Sequence, residues 1–158
     1  MMKKIETNYF CKSHYWSRRM NKIKNIVNKL LCFDDFGFKK KNFYFLNFIF
    51  TEDIKIKKLN NLYRKNNKTT DVLTFVKFID KDNIINVVYC DIFFSAETIK
   101  KDAKKNLVSF YDHLTHLIIH CLLHVNGYDH KDNIDFLKMK NLEKKILSKL
   151  DIKDPYLI

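Results

Sequence analysis

The chain is predicted to form an α+β domain, with a mixed sheet of about four strands and helices packed around it, and three observations lead there. Strand-like runs at 43–50, 72–79 and 85–94 are interleaved with segments of helical period. No Pro-, Gly- or Ser-rich linker and no internal repeat divides the 158 residues, so residues 1–158 are expected to fold as a single domain. A composition of 46% hydrophobic and 15% aromatic residues suits a chain that buries a core without disulfide or metal staples.

Taken in order, residues 5–10 include Glu6 and Asn8 after Lys3 and Lys4, so no apolar secretory core forms, and no element is assigned there. Over 15–31, Ile23, Ile26, Val27, Leu30 and Leu31 recur at helical spacing between Lys and Asn, which predicts an amphipathic helix. Residues 33–42, with Gly37 and the basic cluster Lys39 to Lys41, form a connection. The aromatic run 43–50 lacks clear polar alternation, which predicts a central strand buried on both faces. Thr51 is placed to cap a helix through Tyr63, with Glu52 and Asp53 favouring its first turn through the helix dipole.

Residues 72–79 and 85–94 are predicted strands, and the polar stretch 81–83 suits a hairpin connection. Ser95 can cap a helix through Lys104. The segment 109–126 forms a helix ended by Gly127, which tolerates the left-handed backbone of a C-cap, and 136–150 forms the last helix, with Pro155 beyond it.

Lys and Arg number 30 against 18 Asp and Glu, a formal net charge of +12 that would draw in a polyanion such as nucleic acid or an anionic membrane. Lys and Asn stand where Arg, Ala and Gly are usual, so a coding bias contributes to this excess. Cys11, Cys32, Cys90 and Cys121 show no paired spacing, which excludes a thiolate zinc motif and fits reduced thiols in a cytoplasmic protein. The longest apolar stretch, 43–50, is far shorter than the roughly 20 residues a spanning helix needs.

Chemistry concentrates between His120 and His130. At about 100° per residue, His120 and His124 project from one helix face a turn apart, an arrangement in which two imidazoles can grip one ion. Gly127 lets the chain turn back so that His130 supplies a third ligand, leaving a fourth position open to water as in a catalytic zinc site. Such an ion brings the pKa of water towards about 7. The expected fold therefore carries a metal site at the end of a central helix. His116, one turn earlier, reads as a fourth ligand, an outer partner or a packed histidine; His113 and His14 read as exposed. Asp129 can orient an imidazole or cap a turn. A zinc protease of the helical type needs Glu beside its first His, but Cys121 stands there, which disfavours peptide hydrolysis.

The stretch from His120 to His130 resembles the signature of the YbeY family of metal-dependent endoribonucleases. Leu59-Asn60-Asn61-Leu62-Tyr63-Arg64 with Thr70-Asp71-Val72-Leu73-Thr74-Phe75 is similar to a second block of that family, Asp91-Ile92 before Ser95 to a third, and Asp154-Pro155-Tyr156 to its usual ending. The similarity runs from about residue 43 to 156. Cys121 and Cys90 depart from the pattern by replacing glycines, Thr74 stands where Ser is usual, and Val125-Asn126 is less apolar than expected.

The resemblance implies one ion, zinc or similar, on His120, His124 and His130, with Arg64 as the catalytic phosphate-binding residue. It also implies cytoplasmic action on single-stranded RNA in small-subunit ribosomal RNA maturation and ribosome quality control, without DNA or membrane partners. From the residues alone, Arg64 could instead pair with Asp71 or another carboxylate. An RNA-binding ribosome-biogenesis factor with a structural metal, or a hydrolase of another small substrate, are the competing functions.

Overall fold

The computed structural model describes residues 4–81 and 85–157, so Asp82 and Asn83 of the expected hairpin connection lie outside the described residues. Its sheet has four strands, β1 (Lys4–Cys11), β2 (Phe43–Thr51), β3 (Val72–Lys81) and β4 (Ile85–Ser95), in the order β1-β2-β4-β3. β1 and β4 flank β2 in parallel, whereas β3 runs antiparallel to β4, giving the mixed α+β sheet that the sequence predicts. β1 was not foreseen: it is an edge strand in which Glu6 and Asn8 fall on the face away from the core and Ile5 and Tyr9 on the core side.

β2 is central as expected, but its burial alternates. Tyr44, Leu46, Phe48 and Phe50 are buried while the residues between them are half-buried. The expectation of two buried faces therefore fails. Aromatic side chains occupy both faces, but on the open one they shield each other, as where Phe45 stacks on Tyr89 with ring centroids 5.1 Å apart. The inner face continues through Val88, Cys90, Ile92 and Phe94, which lie in register with β2, and ends on Thr74 and Val72 of β3. Each large apolar side chain fully buried here contributes about 1.5–3 kcal/mol relative to exposure.

Six helices accompany the sheet in the described residues: α1 (His14–Ser17), α2 (Met20–Leu31), α3 (Asp53–Arg64), α4 (Ala96–Lys105), α5 (Phe110–Val125) and α6 (Asn133–Ser148). The single helix expected over 15–31 is broken after Ser17. The Arg19 guanidinium donates to the Tyr15 carbonyl at 2.7 Å, while the Arg19 backbone N–H bonds instead to Trp16 at 2.9 Å, tightening the turn. Trp16 is fully buried and its indole N–H donates to the Thr51 carbonyl at 2.9 Å, fixing the break to the end of β2.

Thr51 belongs to β2 and does not cap α3. The Asp53 N–H at that helix start is instead satisfied by the Glu97 carboxylate at 2.8 Å. Ser95 sits at the N-cap position of α4 but directs its hydroxyl to Asp53. α5 is the central helix: Leu114, Ile118, Ile119, Leu122 and Leu123 are fully buried in the core shared with β2 and β4. No helix among the described residues is long and apolar enough to cross a membrane.

Candidate metal centre

α5 starts where the Ser109 hydroxyl accepts from the Asp112 N–H at 3.0 Å. It stops at Gly127, whose φ of 90° places it in the left-handed region. There the Gly127 N–H reaches the His124 carbonyl at 3.0 Å and the Tyr128 N–H reaches Leu123 at 3.1 Å, the paired bonds of a Schellman stop. The stop reverses the chain sharply enough to bring His130 back over the last turn of α5.

The three imidazoles converge. His120 Nε2 and His124 Nε2 are 3.0 Å apart, and the His130 ring centroid lies 5.6 Å from that of His120 and 5.1 Å from that of His124. One ring nitrogen from each of His120, His124 and His130 lies within 4.8 Å of the others, so the group could hold a metal ion. Burial pushes the His124 pKa down, as do the neighbouring His120 and His130 rings, against a hydrogen bond to the Tyr128 backbone; the imidazole is thereby kept neutral, the form that can donate a lone pair.

Behind these rings lies a carboxylate that the sequence reading missed. Glu143 of α6 is 1% exposed, and its Oε1 lies 2.5 Å from His120 Nδ1 while Oε2 lies 2.9 Å from His116 Nε2. The Tyr156 hydroxyl donates to the same carboxylate. Burial disfavours the Glu143 charge, but the bonds from His116, His120 and Tyr156 outweigh it and bring its pKa down to about 2. With Nδ1 of His120 engaged by a carboxylate, its Nε2 is left to face the other histidines. A signal for this was present: Glu143 shares a helical stripe with Met139, Ile146 and Leu147, all buried, and a carboxylate at a core position needs partners.

The other candidates separate accordingly. His116 shares Glu143 with His120. Asp129 accepts from the His130 backbone N–H at 2.7 Å and so shapes the turn. Arg64 is exposed at the end of α3 and lines the same cleft of about 410 Å³, between Thr74 and Val76 of β3 and the three histidines. Its guanidinium donates to the Thr74 carbonyl at 3.4 Å and lies 5.9 Å from the Phe75 ring. Asp71 has a carboxylate oxygen 3.8 Å from Nε2 of His113. His14 is exposed as expected, but His113 is not: its side chain is only 10% exposed, because the start of α5 is packed against α4.

Cys90 and Cys121 are both fully buried between β4 and α5, where the Thr74 hydroxyl donates to Cys121 Sγ at 3.2 Å. Both side chains extend the core, and neither thiol enters the lining of the cleft.

Comparisons with known proteins agree with this arrangement. Residues 9–151 match the family model described as endoribonuclease YbeY. A protein named endoribonuclease YbeY from Bartonella henselae is 40% identical over 112 residues, 70% of this chain and 71% of the relative, and one from Bartonella bacilliformis is 39% identical over the same share of each. A solution structure of a Thermotoga maritima protein superposes with a TM-score of 0.57 at 22% identity, covering 92% of both chains, which is a likeness of fold. With that coverage and identity, the chain belongs to the YbeY endoribonuclease family.

Proposed function

We propose that this chain is a metal-dependent endoribonuclease that cleaves single-stranded RNA during small-subunit ribosomal RNA maturation and ribosome quality control in the cytoplasm. The observation that carries the reading is the convergence of His120, His124 and His130 in a cleft whose opposite wall presents Arg64. The relatives' shared name supplies the substrate class.

In this reading His120, His124 and His130 hold one ion, zinc being the choice that three nitrogen donors favour. When bound, the ion acts as a Lewis acid on a phosphoryl oxygen or on water. Glu143 fixes the tautomer and orientation of His120, and His116 and Tyr156 hold Glu143 in turn. Arg64 is exposed and held by a long bond to the Thr74 carbonyl and by the nearby Phe75 ring, so its planar fork is available to grip two phosphate oxygens and to stabilise negative charge as it develops.

A binding factor with a purely structural metal fits less well, because the hydrophobic core closes over α5 without help from the histidines, of which His120 and His124 are part-exposed and His130 exposed. Incubation of purified protein with a single-stranded RNA, with and without chelation, separates the two readings: cleavage that needs the ion and Arg64 supports the nuclease, and RNA binding without cleavage supports the alternative.

A further inference from the structure

A second group of ligand-type side chains lies away from the three-histidine centre. Asp71, just before β3, Asp102 of α4 and His113 of α5 each bring a ligand atom within 4.8 Å of the other two. His113 is nine-tenths buried, and its Nε2 is buried without a hydrogen-bond partner. That nitrogen points at Asp71 Oδ2 from 3.8 Å, too far for a hydrogen bond. The spacing instead suits two donors on one ion, since ligands at about 2.0–2.2 Å from a metal lie about 3–4.4 Å apart.

We propose that Asp71, Asp102 and His113 form a second divalent-cation site. Two carboxylates and one imidazole select a first-row ion such as Mn2+ or Zn2+ over Ca2+, which prefers oxygen alone. Asp71 and Asp102 are part-exposed, so water can complete the coordination. His113 and His120 are seven residues apart on α5, about 10 Å along the helix axis, whereas metals that share one reacting phosphate lie about 3.5–4 Å apart. The second ion is therefore a staple. It joins α4 and α5 to the start of β3, and β3 is the strand whose Val72, Thr74 and Val76 wall the cleft.

The test uses chelator-stripped protein and Mn2+ as the probe, with His124→Ala removing a ligand of the other centre. The His124→Ala protein is expected to bind one equivalent of Mn2+ saturably, with a rise in Tm. Asp102→Asn or Asp71→Asn, added to it, should weaken that binding at least tenfold and abolish the rise. Both changes are isosteric, and circular dichroism checks the fold. Failure of the His124→Ala protein to bind Mn2+, or binding that neither Asn variant alters, overturns the site. Because the readout is metal stoichiometry and Tm, the result is independent of whether the chain cleaves RNA.

Discussion

Glu143 Oε1 lies 2.5 Å from Nδ1 of His120, joining a carboxylate buried in α6 to the first histidine of the convergent group on α5. The position of the histidine cluster is thus set from inside the core. Four of the groups involved, His116, His120, Glu143 and Tyr156, come from two helices and the C-terminal segment.

The first prediction concerns that carboxylate. Glu143→Ala should lower zinc affinity by about 10–100-fold, because His120 loses the partner that orients it. Competition against a chromogenic chelator measures this. Unchanged affinity in a folded variant would show that His120 is oriented by other means.

Arg64 carries the second prediction. Its exposure and long bond to Thr74 mean that Arg64→Ala should leave stability within about 0.5 kcal/mol of the parent and metal content unchanged. RNA cleavage should fall at least tenfold, and Arg64→Lys should recover only part of it, because an ammonium cannot make the bidentate contact. Full recovery in Arg64→Lys would contradict the bidentate role.

A third prediction is an acid dependence of stability far from the cleft. Asp35 accepts from Lys149 at 2.5 Å and pairs with Lys145 at 3.1 Å, tying the turn at Asp34–Phe36 to α6. The Lys149 bond holds the Asp35 pKa below the usual carboxylate value against a cost of burial, and Lys145 adds to it. A depressed folded pKa gives stability that is present above the unfolded value, about 3.9, and is lost as pH falls through the folded value. Since both lysines are substantially exposed, Asp35→Asn should cost only about 1 kcal/mol at pH 7. Denaturant melts should show that difference shrinking below about pH 4.

The fourth prediction separates the thiols. Cys32 is exposed and Cys11 half-buried, whereas burial pushes the Cys121 pKa up to about 12, partly offset by the Thr74 bond, and raises that of Cys90 as well. In native protein a maleimide should modify Cys32 fastest and Cys11 next, leaving Cys90 and Cys121 unreacted until unfolding. Mass spectrometry of peptides reads the order.

Periodicity made most of the fold legible: the alternation of strand runs with amphipathic segments gave the α+β class, and Gly127 gave the stop that returns His130. What escaped depended on contacts distant in sequence. β1 has Glu6 and Asn8 on its outer face, so it lacks an apolar run and becomes a strand only by pairing with β2. The break before α2 needs the Arg19 side chain on Tyr15, and the α3 start needs Glu97 from another helix. In the candidate site, His120, His124, His130 and Arg64 could be named from spacing and family resemblance. Glu143 could not be placed, because only the packing of α6 on α5 brings it to His120 and His116. His113 was misread as exposed for the same reason: a polar residue near a helix start looks solvated until α4 covers it.

The most direct test of the central claim is single-turnover cleavage of a fluorescent single-stranded RNA by protein stripped of metal and then reloaded with Zn2+, alongside His124→Ala treated identically. The account predicts no cleavage by the stripped protein, restored cleavage on reloading, and none from His124→Ala at the same Zn2+ concentration. Equal cleavage by stripped protein or by His124→Ala, free of contaminating nuclease, would contradict it.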